Sequence, residues 1–198
     1  MKKIEYYEDY DSCFIPVPSP TDVEWKLRER ANVFVHNVGH GGIYSRNGTA
    51  EIIKALPLIK SQDIKIIIRV EKRHVPFKEL WSTGDVFLFP EKFNGLSLPL
   101  QEAHAAGMLV MAGDRSPVNT WLPKEPLIPV SGYFNTELPW IGIKVRNAII
   151  SPEDIAKTID QWAGKDISEY SKIGQSWASQ NTGDLLREKY LEQLHVKK

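Results

Sequence analysis

Two continuous β-branched runs, at residues 32–38 and 64–70, constrain the fold of this chain more than any other feature. The second reads Ile64-Lys65-Ile66-Ile67-Ile68-Arg69-Val70, apolar enough to require cover on both faces, a pattern that belongs to parallel sheets sandwiched between helices. The intervening stretch has helical spacing. Thr49 is placed to cap a helix after Asn47-Gly48, with Ile52, Ile53, Leu56 and Ile59 on its inner side. The alternation continues downstream. Residues 77–81 suit a short helix, 85–90 a strand closed by Pro90, 99–106 a helix ended by Gly107, and 108–112 another strand. Shorter strands are expected at 127–130 and 141–145, with 132–139 left as an aromatic loop. From Ser151-Pro152-Glu153-Asp154, a cap followed by proline and acids in the first turn, the chain turns helical to its end. The expected class is α/β: a doubly wound parallel sheet of Rossmann-like type, with C-terminal helices.

Composition narrows what such a domain can do. With 198 residues, 42% of them hydrophobic, the chain suits one core domain, 31–198. An N-terminal extension and linker at 1–30, stiffened by Pro16, Pro18 and Pro20, precedes it. Its 25 basic and 25 acidic side chains cancel, so no overall field draws it to nucleic acid or an anionic membrane. No window has the length of a transmembrane segment. Cys13 is the single cysteine, which excludes an internal disulfide and fits a reducing, cytoplasmic setting. No metal is expected. Asp9-Tyr10-Asp11 precedes the linker rather than ending a core strand, and His36, His40, His74, His104 and His195 show no ligand spacing. His104 is expected to pack, as are most of Trp121, Trp140, Trp162 and Trp177, while His40 sits in a glycine-rich loop. No serine, histidine and acid set stands at hydrolase spacing.

In doubly wound sheets ligands sit at the carboxyl ends of the strands, so the loops after Val38, Val70 and Pro90 are where a site belongs. The first, 39–48, holds Gly41, Gly42 and Arg46, and bare amides with a guanidinium favour a phosphate group. Its spacing is neither a Walker loop nor G-x-G-x-x-G. Arg69, Lys72 and Arg73 close the second strand and could sit over a diphosphate. The third segment is the most specific: Asn94-Gly95-Leu96-Ser97-Leu98-Pro99-Leu100-Gln101-Glu102, continuing through Ala103 to Gly107. Gly95 and Ser97 let the backbone pass close to a ligand before a helix start, and Glu102 can accept two hydroxyl hydrogen bonds from a ribose diol.

This segment resembles the E-G-F-G-L-x-x-x-E-A-x-A-x-G pattern of retaining GT-B glycosyltransferases, in the C-terminal, donor-binding domain of the large family four. The resemblance runs in order over about residues 32–195, including Glu79 to Pro90, Met108 to Asp114 and the helix start at Ser151. It implies that Gly95, Leu96, Ser97 and Leu98 meet the donor diphosphate, that Glu102 holds the ribose, and that Asn94 faces the transferred sugar. Asn94 replaces the opening glutamate of the pattern and supplies neither charge nor base, and Glu91 substitutes only if the loop bulges. Asn37 and Asn47 stand where the family has an arginine and a lysine, leaving Arg46 as the nearby cation. The implied activity is transfer of a sugar from a nucleoside diphosphate sugar to an acceptor hydroxyl with retention, without metal or other cofactor. The implied partners are the nucleotide sugar and an acceptor-binding domain or subunit outside this chain. The alternative is a non-catalytic nucleotide-sugar-binding or regulatory module of the same fold. A flavodoxin-like domain would share the topology but leaves the 94–107 pattern without a purpose.

Overall fold

The computed structural model describes residues 15–20, 23–39, 41–70, 76–138 and 143–194. Within them four parallel strands, β1 (Val33–Asn37), β2 (Lys65–Arg69), β3 (Val86–Phe89) and β4 (Leu109–Ala112), form one sheet in the order β2-β1-β3-β4. Helices α1 (Thr49–Ala55), α2 (Phe77–Ser82) and α3 (Leu98–Ala105) connect them, and α4 (Pro152–Trp162), α5 (Ser168–Gln180) and α6 (Gly183–Gln193) complete the domain.

Strand periodicity explains the layers. Phe34, Val86, Leu88, Leu109 and Met111 point to one face, where they meet Ile52 of α1 and Ile155, Ile159 and Trp162 of α4. Their neighbours Val35, Phe87, Phe89, Val110 and Ala112 point to the other, against Trp81 of α2 and Leu100 and Ala103 of α3. Both faces of β3 and β4 are therefore closed, which is why every residue of these two strands is buried. The expected doubly wound class is found, with one refinement at β2. This strand pairs with β1 alone, so at the sheet edge its isoleucines are covered on both sides but only half-buried.

Four local expectations are corrected. Thr49 is the first residue of α1, not its cap. Gly48 takes the cap position in the left-handed region, and the threonine hydroxyl turns inward to His36 Nε2 at 2.7 Å. On α1 it is Thr49, Ile52 and Ala55 that are buried, while Ile53 and Leu56 lie largely exposed. Of the loop expected at 132–139, residues 132–138 form a strand: β5 (Gly132–Leu138) pairs antiparallel with β6 (Ile143–Ile149), which runs past the 145 expected as its end. Residues 127–130 shrink to one bridge between Ile128 and Gly113, because Pro126 and Pro129 withdraw two ladder donors. The α4 start is as expected, with Ser151 Oγ accepting the Asp154 amide at 3.0 Å.

Part of the leading segment packs on the domain. The Pro16 carbonyl accepts the Tyr190 hydroxyl at 2.9 Å, and Arg28, 3% exposed, donates to the carbonyls of Trp81 and Gly84 at 2.8 Å each. No described helix is long and apolar enough to cross a membrane.

Two buried histidines link stability to pH. Leu88 offers His36 only a carbonyl, at 2.8 Å from Nδ1, so the proton sits on Nδ1 and Nε2 accepts from Thr49; the ring is neutral. Burial pushes His36 down to about 4, and His104, enclosed by Trp121 and Trp177 with Nε2 unpartnered, also to about 4. The native rings stay neutral where the unfolded chain takes up protons. The stability is therefore full above pH 6.5 and is lost as pH falls from 6.5 towards 4, by about 3 kcal/mol per ring. His104→Leu should remove about that much of the difference in urea-unfolding free energy between pH 7 and pH 4. Leu88→Ala, emptying a fully buried site on the α1–α4 face, should cost about 2–5 kcal/mol in the same assay at pH 7.

Candidate functional site

The sheet order reverses between β1 and β3: the chain moves outward from β1 to β2 on one side and from β3 to β4 on the other. The loops leaving the carboxyl ends of β1 and β3 then run to helices on opposite faces, α1 and α3, the arrangement at which doubly wound sheets take their ligands. The glycine-rich loop 39–48 and the segment 91–97 are those two loops. They are joined directly, since the Lys92 amide donates to the Arg46 carbonyl at 2.7 Å. Glycine is needed at position 48. Its φ is +79°, and a Cβ there would stand 2.3 Å from the Pro90 carbonyl oxygen. Lys92 Nζ pairs with Glu51 at 3.0 Å, and the guanidinium of Arg46 lies 5.3 Å from the centre of the Phe93 ring. Arg46 is exposed at the rim, as is Gly41, with Gly42 half-buried beside them.

The segment 91–97 is built around a buried charge pair. Glu91 and Arg115 are both fully buried at their side chains and meet at 2.6 Å, Nη2 to Oε1. Glu91 also accepts from the Ser97 hydroxyl and, at 2.9 Å, from the Asn94 side-chain amide. Arg115 donates further to the carbonyls of Glu91 at 3.1 Å, Asn94 at 3.2 Å and Ser116 at 3.1 Å. Burial raises the Glu91 carboxyl above its ordinary value, outweighing the opposing pull of Arg115, Ser97, Asn94 and, from further off, Arg46. The guanidinium at 2.6 Å and two further donors are nonetheless the contacts that suit a carboxylate. The bulge that would bring Glu91 to a ligand does not occur; its carboxylate points into the protein.

Asn94 is half-buried and bonded at both ends of its amide, its Oδ1 accepting from the Ser97 backbone N–H at 3.3 Å. It retains one N–H for an outside partner. Ser97 caps α3 with φ +48° and ψ +57°, a left-handed conformation that costs a side-chain-bearing residue about 1–2 kcal/mol. Its hydroxyl bond to Glu91 offsets that cost. The turn leaves Gly95 and Leu96 exposed, and among the described residues nothing accepts from the amides of Gly95, Leu96 or Leu98. One turn into α3, Glu102 lies half-buried on the outer side, next to Leu98 and Pro99, while Leu100, Gln101, Ala103 and His104 face inward.

The remaining candidates fall elsewhere. Arg69 donates to the Leu80 carbonyl at 2.7 Å and to Asn37 at 3.4 Å, and burial lowers its pKa. Asn47 donates to the Val38 carbonyl at 2.8 Å, so both asparagines standing in for the family's cations brace local structure. Lys72, Arg73, His40, His74, His195, Trp140, Asp9 and Asp11 lie outside the described residues. Among the described residues no three His, Cys, Asp or Glu side chains gather as metal ligands. Arg115 lies in the loop after β4, beyond the three strand-end loops where a ligand was expected, and no local pattern marks it. A shallow depression of about 360 Å3, lined by Lys26, Arg28, Arg30, Asn32 and Asp85 among others, opens at the opposite, amino ends of β1 and β3. Of its charged groups, Asp85 accepts the Val33 amide at 2.8 Å and Arg28 is spent as described above. The amides of Gly95, Leu96 and Leu98, at the carboxyl edge, mark the candidate site.

No protein-family model matches the sequence, and a search of curated proteins finds no match. Solved structures do match. A variant of S. aureus TarM in complex with fondaparinux, alpha-GlcNAc-glycerol and UDP superposes with a TM-score of 0.60 at 14% identity, over 94% of this chain and 40% of that one. Anabaena HepE in complex with UDP and glucose gives a TM-score of 0.51 at 12% identity, over 84% of this chain and 49% of that one. This chain thus spans less than half the length of either. At these identities the likeness speaks for fold alone. The chain has the Rossmann-like fold of one half of a GT-B glycosyltransferase.

Proposed function

We propose that this chain is the donor-binding half of a retaining glycosyltransferase that moves a hexose from a nucleoside diphosphate sugar to an acceptor hydroxyl. The observation that carries this reading is the meeting of the two loops at the point of strand reversal, with unpartnered amides at Gly95, Leu96 and Leu98 and Glu102 one turn beyond. The diphosphate lies on those amides, with Arg46 and the Gly41–Gly42 turn on its other side. Glu102 takes the ribose hydroxyls. Asn94 offers its remaining N–H to the sugar. UDP in the neighbours' complexes supports a uridine nucleotide as the first donor to test.

The chemistry asked of the chain is electrostatic. Leaving-group charge develops on the diphosphate, and preorganised amides plus a guanidinium stabilise it without metal. An acceptor-binding domain or subunit closes the crevice from the far side, and the single Cys13 suits a cytoplasmic setting.

One observation favours a second reading, a nucleotide-sugar-binding module without transfer activity. Glu91 is sequestered by Arg115, and Asn94 is neutral, so the segment 91–97 presents no carboxylate to a sugar. Consumption of a UDP-sugar, with release of UDP, separates the two.

A thermal-shift screen of uridine, guanosine and adenosine diphosphates should raise the Tm with one of them, and chelating divalent cations should leave the shift intact. Glu102→Ala should weaken that nucleotide at least tenfold by calorimetry, about 1.4 kcal/mol. Unchanged affinity removes Glu102 from the site.

A further inference from the structure

We propose that Arg115 is a positioning residue for the nucleotide site, fixing the backbone of residues 94–98 in the conformation that receives the diphosphate. The proposal rests on the donor-binding reading and extends it to a side chain no ligand touches.

The geometry is a closed ring of contacts. Arg115 binds Glu91, Glu91 binds Ser97 and Asn94, and the Ser97 amide returns to Asn94. Through its three carbonyl bonds the same guanidinium also holds the backbone at Glu91, Asn94 and Ser116. Residues 91, 94 and 97 are thereby pinned inside the protein, and the exposed residues between them, Gly95 and Leu96, have no freedom to turn their amides inward. Local bonds contribute, from the Ser97 amide to Asn94 and from the Gln101 side chain to the Leu96 carbonyl, and Arg115 is the one member that arrives from a distant segment. Ser97 sits in a backbone region that side chains disfavour, and the helix it opens begins with a proline at its second residue.

A fully buried ion pair is a poor way to add stability, because desolvating both charges offsets most of their attraction. Such a pair does enforce one arrangement, since each alternative leaves a charge unpaired. Arg115 is also not replaceable by lysine in this role. A planar guanidinium reaches four acceptors in fixed directions, which an ammonium cannot reproduce.

The test compares wild-type protein with Arg115→Lys by amide hydrogen exchange and by calorimetric titration with UDP. Exchange within 91–98 should accelerate at least tenfold in the variant while β1 and β3 keep wild-type protection. UDP should bind at least tenfold more weakly, and saturating UDP should restore protection to 91–98. Should Arg115→Lys fail to fold, Ser97→Ala removes a single bond of the ring and should give the same pattern with a loss of about threefold to tenfold. Wild-type exchange in 91–98, acceleration spread evenly over the domain, or full-strength UDP binding by a folded variant each overturns the assignment to Arg115. A wild-type protein that binds none of UDP, GDP and ADP instead overturns the donor-binding reading itself, and with it any nucleotide role for Arg115.

Discussion

Everything at the carboxyl edge of this sheet follows from β1 and β3 being hydrogen-bonded neighbours while their following helices lie on opposite faces. A right-handed crossover from each strand sends α1 one way and α3 the other, so the two loops part and cannot fill the space between them. The parting stays narrow because the loops are tied at the base. Gly48 lies against the Pro90 carbonyl, and the Lys92 amide reaches the Arg46 carbonyl. The space between them is edged by main-chain donors. That suits a ligand recognised chiefly through phosphate oxygens, with Asn37 and Asn47 where the resembled pattern has cations.

The segment 91–97 shows what replaces them. Where the related pattern carries a glutamate facing the crevice and a glycine in the turn, this chain has Asn94 and Ser97. The carboxylate sits three positions earlier, at Glu91, and is turned inward to Arg115. The three changes form one set. Serine supplies a hydroxyl that a glycine could not, asparagine supplies both a donor and an acceptor, and the buried carboxylate receives from each. The turn is held by an internal scaffold, and its outward face carries bare amides of the kind that favour an anion.

Much of this was legible in the residues. Apolar runs located β1, β3 and β4 to within a residue or two, since strands buried on both faces leave no other pattern, and Ser151-Pro152 marked the start of α4. The β5–β6 hairpin was not legible: Asn135, Thr136 and Glu137 are exposed, so no buried face imposes alternation. The cap of α1 was misplaced because Thr49 found a tertiary partner in His36, which no local rule contains. The turn at 95–97 and the helix that carries Glu102 could be read from glycine, proline and spacing. The identity of its support could not. Glu91 and Arg115 are 24 residues apart and meet only after β4 is laid beside β3.

A nucleoside diphosphate held between the loops after β1 and β3 is detected most directly by titration of 15N-labelled protein with UDP, followed amide by amide. The largest shifts should fall on residues 41–46 and 95–98 and on Glu102, with the opposite edge of the sheet silent. Shifts centred on Arg28, Arg30 and Asp85 at the amino ends of the strands would contradict that placement.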